Sequence, residues 1–93
     1  MNSVVEVKGE VLISLPLFIR KKFGNSELDL WLKVLSPEAI KVYSSPIDTN
    51  GWFPIREMIV EPTAALCDMF YNKSLQGAWE CGKFSAEYRL KGI

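Results

Sequence analysis

The sequence predicts a small, mainly α-helical domain of four to five helices, preceded by a short N-terminal extended segment. Apolar residues recur at spacings of three and four along most of the chain, which is the helical period. Serine, proline and glycine residues fall where helices of this period would begin and end. The chain has 93 residues, enough for one domain, and its 48% hydrophobic content is too high for a disordered segment.

The N-terminal half is predicted to contain a short strand followed by three helices. Residues 3–9 are rich in β-branched side chains and end in glycine, which is typical of a brief strand. The first helix should end at Gly24, a left-handed cap, and Pro16 marks either its start near Leu15 or a kink. Its inward face is predicted to carry Leu12, Leu15, Ile19 and Phe23.

The next two helices are predicted from their capping residues. Asn25 or Ser26 should cap the second helix. Ser36 and Pro37 have the residue types of an N-cap and a first helical position, so a third helix should run from Pro37 to Tyr43. The inward face of the second helix is predicted to carry Leu28, Trp31, Leu32 and Leu35.

The turn cluster at residues 44–51 separates two helical halves. Pro54 is predicted to open a fourth helix, and Pro62 should kink or break it because an interior proline removes a backbone hydrogen bond. Ser74 should cap a fifth helix that runs to about Leu90. The fourth helix should bury Ile55, Ile59, Leu66, Met69 and Phe70. The fifth has Leu75, Trp79, Gly82, Ala86 and Leu90 on one face. Its small residues predict that this helix packs tightly against another element; they are Gly77, Ala78, Gly82, Ser85 and Ala86.

The composition excludes several classes of chemistry. Histidine is absent, so the usual general base, the common nucleophile pairs and the commonest metal ligand are all missing. Cys67 and Cys81 lack metal-site spacing and are predicted to be buried thiols of a cytoplasmic protein. We therefore predict that the protein is not an enzyme and has no catalytic, cofactor-binding or metal-binding residues.

Charge and hydropathy predict that neither nucleic acid nor a membrane is a partner. The chain has 11 Lys and Arg against 11 Asp and Glu, so it exerts no long-range attraction on nucleic acid. The longest apolar run, residues 11–19, is far shorter than a membrane span. The run Arg20-Lys21-Lys22 is predicted to be a solvated last helical turn, with a nucleic-acid or lipid contact as the alternative.

The candidate site is the junction between the turn cluster and the fourth helix. Trp52 lies there beside Phe53, either as a plug of the core or as an exposed aromatic at a partner surface or pocket mouth. Trp31 and Trp79 instead lie within apolar helical faces and are predicted to be core residues. The predicted interaction or ligand-binding residues are Trp52, Phe53, Ile55 and Ile59.

Proline, glycine and aromatic residues punctuate the chain from Gly9 onward. The motifs are Phe23-Gly24, Leu30-Trp31-Leu32, Ser36-Pro37-Glu38-Ala39, Ser45-Pro46-Ile47, Trp52-Phe53-Pro54, and a last helix around Gly82 and Ala86. This succession resembles the N-terminal half of an uncharacterised bacterial family known as paralogs in myxobacteria. It is more distantly similar to the helical part of heme nitric-oxide sensors, in a ligand-binding superfamily shared with vesicle-tethering subunits. Those sensors hold heme through a histidine, so no heme is expected here.

These observations predict a non-enzymatic sensory or protein-interaction module. Small domains bury a limited fraction of their surface, so the high apolar content predicts that part of this surface is covered. The covering partner would be a second copy, another protein, or a missing C-terminal portion. Residues 1–93 are thus expected to form a single helical domain that belongs to a larger fold or self-associates. The alternative is a small apolar-ligand-binding domain with a pocket near Trp52 and Phe53.

Overall fold

The computed structural model describes residues 5–90, which are mainly α-helical, as predicted. Residues 3 and 4 of the predicted strand lie outside this range. In chain order the elements are β1 (Glu6–Lys8), α1 (Gly9–Leu12), α2 (Ser14–Phe23), α3 (Asn25–Lys33), α4 (Pro37–Tyr43), β2 (Trp52–Pro54), a π-helical segment (Arg56–Val60), α5 (Glu61–Phe70) and α6 (Gln76–Leu90). Helix α2 packs against α3 and α6, and α5 packs against α3 and α6.

The two strands form a small antiparallel sheet. Pro54, which the sequence predicted to open a helix, is instead the last residue of β2 and lies opposite Glu6. That prediction is wrong because pairing with a strand far away in the sequence holds this segment extended. The amide of Ile55 donates a hydrogen bond to the carbonyl oxygen of Val5 (2.9 Å), and helical geometry begins at this residue.

Most of the predicted helix ends are confirmed. Gly24 has a φ of 103°, a conformation that favours glycine, and it separates α2 from α3. The Oγ of Ser36 accepts a hydrogen bond from the amide of Ala39 (3.2 Å), and α4 has the predicted bounds. The predicted cap of α3 is wrong: neither Asn25 nor Ser26 caps it, because Asn25 is already helical and Gly24 occupies the N-cap position.

The predicted fourth helix is irregular before Pro62, where the π-helical segment runs directly into α5. It is not divided into two helices, because Ile55, Val60 and Glu61 all have helical dihedral angles. Because Pro62 has no N–H, the carbonyl oxygen of Met58 lacks its α-helical donor. It accepts a hydrogen bond from the hydroxyl of Tyr43 instead (2.6 Å). The carbonyl oxygen of Pro62 accepts a second buried bond, from Nε1 of Trp31 (3.0 Å). Tyr43 thus links α4 to the π-helical segment, and Trp31 links α3 to the first turn of α5.

The core draws on every helix, and the residues predicted to face inward on the first, second and fourth helices, apart from Ile55, either belong to it or pack against it. The π-helical segment contributes Met58 to this core, whereas Ile55 and Ile59 are only partly buried. The buried core cluster consists of Leu12, Leu15, Phe18, Ile19, Trp31, Leu35, Ala39, Tyr43, Met58, Leu66 and Cys81.

The prediction that Trp79 is a core residue is wrong, because the apolar face on which it lies points to solvent. Its large side chains are Leu75 (81% exposed), Trp79 (62%) and Leu90 (86%). The helix packs instead through a second periodic set that includes Gly77 and Cys81. A Cβ atom on Gly77 would lie 2.5 Å from the ring of Tyr71, so only glycine allows this close approach. That approach selects which side of α6 is buried.

Candidate functional site

The four predicted site residues differ in their surroundings. Trp52 is 59% exposed, and Nζ of Lys8 lies 5.7 Å from the centroid of its indole ring. Phe53, the next residue of β2, points the other way because side chains alternate along a strand, and it packs against the core. Ile59 also packs against the core, and Ile55 is partly buried. Trp52 is therefore the member of this set that is most available to a partner.

A larger apolar surface lies on α6 and on Leu75, which directly precedes the helix and accepts a hydrogen bond from the amide of Trp79 (3.1 Å). We call it the α6 outer face; it comprises Leu75, Trp79, Gly82, Ala86 and Leu90. Their spacing of four, three, four and four residues places them on one side of the helix. A Cβ atom on Gly82 would have no neighbour within 4 Å, so the middle of the face is open. Nζ of Lys83 lies 5.5 Å from the Trp79 ring centroid and borders the face.

A polar cluster centred on Glu80 joins α2 to α6. Nζ of Lys22 lies 2.6 Å from Oε1 of Glu80, and the hydroxyl of Tyr71 donates to the same oxygen (2.7 Å). The side-chain amide of Gln76 donates to Oε2 (3.1 Å). Hydrogen bonds from Lys22, then from Gln76 and Tyr71, lower the pKa of Glu80 to about 2. Burial and the bond to Glu80 raise the pKa of Tyr71.

Glu80 is expected to make folding sensitive to acid. A carboxyl group whose pKa is lower in the folded state stabilises the fold above its unfolded-state pKa, near 4.5, and this stability is lost as the pH falls toward about 2. We expect Glu80→Gln to be less stable than the wild type at neutral pH and to lose less stability between pH 4.5 and about 2. The measurement is the free energy of unfolding in urea at a series of pH values.

The matched control is Glu87→Gln, which neutralises an exposed carboxylate on the same helix. Its unfolding free energy at neutral pH should fall by less than that of Glu80→Gln, because the contacts of Glu80 are kept. If Glu80→Gln also follows the wild-type curve, then the contacts of Glu80 do not stabilise the fold.

A groove lies between α2 and α6, with a cavity volume of about 850 Å³. Its apolar lining residues are Leu17, Phe18, Phe84 and Tyr88. The charged residues are Arg20, Lys21, Lys22 and Glu87. The ring centroids of Phe18 and Phe84 are 5.6 Å apart, and the rings of Phe84 and Tyr88 stack at 6.2 Å. None of the four predicted site residues lines this α2–α6 groove.

Two features were not predicted, the second apolar face of α6 and the α2–α6 groove, although the sequence contains signals for both. Gly77, Cys81, Phe84 and Tyr88 recur at helical spacing, so α6 carries two apolar faces rather than one. The run Arg20-Lys21-Lys22 is exposed, as predicted for a last helical turn, but it also borders the groove. Its proximity to Phe84 and Tyr88 depends on how α2 packs against α6, which the sequence spacing does not determine.

Both cysteines are buried, as predicted. Burial, reinforced by Cys67, raises the pKa of Cys81 to about 11, so this group is a neutral thiol at neutral pH. Nucleophilic attack and metal binding both require the thiolate. Across residues 5–90, no group of three or more Cys, Asp or Glu side chains is placed to hold a metal ion. In the same range, no helix combines the length and hydropathy needed to cross a membrane.

No family model matches this chain, and neither curated proteins nor solved structures show significant similarity to it. The resemblance suggested by the sequence motifs therefore stays a prediction.

Proposed function

We propose that this protein is a non-enzymatic interaction module that self-associates through the α6 outer face. The observation that carries the proposal is the exposure of Trp79 in the middle of a row of apolar side chains. A contiguous exposed apolar surface on a small domain commonly marks an interaction site. Tryptophan is among the residues that contribute most to binding energy at the centre of interfaces.

The order of large and small side chains favours a second copy as the partner. In a two-fold symmetric pair, a contact between residues i and j occurs twice. The antiparallel register that places Trp79 opposite Gly82 of a second copy also places Leu75 opposite Ala86. Trp79 and Leu75 then each lie over a small residue, which allows the close interaxial distance of about 8–10 Å found between packed helices.

Trp52 is the site that the sequence predicted for association, and its exposed fraction is nearly the same as that of Trp79. The two differ in their neighbours. Phe53, beside Trp52, is directed into the core, whereas Trp79 lies between Leu75 and Leu90, which are both mostly exposed. Association therefore gains more apolar burial at Trp79, and we assign the principal contact to α6.

Trp79→Ala is expected to weaken self-association by roughly thirtyfold or more, the effect of losing about 2 kcal/mol at an interface hot spot. Sedimentation equilibrium over a wide range of protein concentrations measures the dimer dissociation constant. Gly82→Leu should have a similar effect, because it fills space that is open in the single chain but occupied in the dimer. Circular dichroism should show that both variants remain folded.

Trp52→Ala is the matched control, since it removes the same side chain at nearly the same exposure from β2. Its dimer dissociation constant should stay within about threefold of the wild type, the effect expected of a residue outside an interface centre. A wild-type chain that stays monomeric, or a Trp52→Ala variant that dissociates as readily as Trp79→Ala, would contradict the proposal.

A further inference from the structure

The α2–α6 groove has the size and lining of a small-molecule site. Ligand sites commonly have volumes of about 300–1,000 Å³, an apolar lining and a few polar groups that orient the ligand. The volume of about 850 Å³ falls in this range. The groove is lined by 8 residues, far fewer than the roughly 20–30 residues per side of a stable protein interface. Its dimensions therefore fit a small molecule better than a folded partner.

Three of the apolar lining residues are aromatic. Phe84 is adjacent to both Phe18 and Tyr88, so the three rings form one continuous cluster. Phe18 is almost completely buried, which anchors the cluster to the core. A planar aromatic body can pack on such rings in stacked or edge-to-face geometry, with a gain beyond that of apolar burial alone.

The charged residues of the groove favour an anion. Arg20, Lys21 and Lys22 line it together, against the single carboxylate of Glu87. Lys22 is already paired with Glu80, outside the groove. Arg20 and Lys21 are exposed and form no ion pair with any residue in the range 5–90. Their charges are thus free to bind an acidic group of a ligand.

We infer that the α2–α6 groove binds a small aromatic anion, a carboxylate or sulfonate attached to a planar ring system. The ring system lies against Phe84 and Tyr88, and the acidic group faces Arg20 and Lys21.

Phe84 and Tyr88 are on the opposite side of α6 from Gly82 and Ala86, because residues two apart on a helix differ by about 200°. The site is therefore separate from the proposed dimer surface, and both can be occupied at once.

The test compares 2-naphthoate with its neutral amide, 2-naphthamide, by ¹H–¹⁵N NMR titration of the whole chain. We expect saturable shifts of the amide signals at residues 17–22 and 84–88, with 2-naphthoate bound about tenfold more tightly than 2-naphthamide. The double variant Arg20→Gln/Lys21→Gln should bind 2-naphthoate about as weakly as 2-naphthamide. Tyr88→Ala should weaken both ligands, because it removes part of the shared aromatic surface.

Lys33→Gln/Lys41→Gln is the matched control, since it removes the same charge from exposed positions on α3 and α4. It should bind 2-naphthoate as the wild type does. The inference is overturned if 2-naphthoate does not bind saturably, if the shifts map to the α6 outer face, if 2-naphthamide binds equally well, or if the control double variant loses as much affinity. Trp79→Ala should retain the site, so a failure of self-association leaves this inference separately testable.

Discussion

Replacing Trp31 with alanine is expected to lower the free energy of unfolding by about 3–5 kcal/mol, the usual effect of deleting a large buried aromatic side chain. Trp31 is completely buried and packs edge-on against Tyr43, with ring centroids 5.3 Å apart. Its Nε1 also donates to the carbonyl oxygen of Pro62. The substitution thus creates a cavity and removes a hydrogen bond between α3 and the first turn of α5.

Trp79→Ala is the matched control for this measurement. The same side chain is removed, but from the solvent-exposed side of α6, so the unfolding free energy should change by less than about 1 kcal/mol. Urea denaturation should be followed at low protein concentration, so that dissociation of a dimer does not add to the apparent stability. Similar losses in the two variants would mean that the α6 outer face is buried within the monomer.

Gly9→Ala is expected to destabilise the fold by about 1–3 kcal/mol, as overpacking commonly does. A Cβ atom at this position would collide with the carbonyl oxygen of Asp48 and lie 3.0 Å from the ring of Phe53. The amide of Gly9 also donates to the carbonyl oxygen of Gly51 (2.9 Å). The start of α1 is therefore pressed against the turn cluster, and a methyl group would force the two apart.

Gly82→Ala makes the same substitution where the structure leaves open space. Because alanine favours helix more than glycine does, we expect a gain of about 0.5–1 kcal/mol in the unfolding free energy of the monomer. Thermal and urea denaturation of the two variants should therefore move in opposite directions. A Gly9→Ala variant as stable as the wild type would contradict this prediction, because it would mean that the turn cluster moves to accommodate the methyl group at no cost.

Local patterns predicted the helical part of this fold well. Ser36 and Pro37 define the start of α4 through contacts within one turn, and Gly24 separates two helices through its own backbone preference. Pro62 acts in the same way, because the missing N–H breaks the hydrogen-bond ladder wherever proline falls. These features depend on residues within about four positions of one another, so the sequence alone carries the information.

The candidate surfaces were predicted less well. Trp52 was assigned to a site from its place at a junction, and it is indeed mostly exposed, but Phe53 beside it is turned inward by the alternation of β2. The α2–α6 groove was missed because its two walls lie more than 60 residues apart in the chain. The cationic run of α2 and the aromatic pair of α6 form one groove only because these two helices pack side by side.

The sequence by itself determined the helical class, most of the helix ends and the absence of imidazole chemistry, because each follows from residue type or from short-range contacts. Only the tertiary structure decided the conformation of residues 52–54 and the buried side of α6. Residues 52–54 are extended because β1, more than 40 residues earlier in the chain, supplies their hydrogen bonds. Helix α6 has two apolar faces of similar period, and the close approach of Gly77 to Tyr71 buries one and leaves Trp79 in solvent.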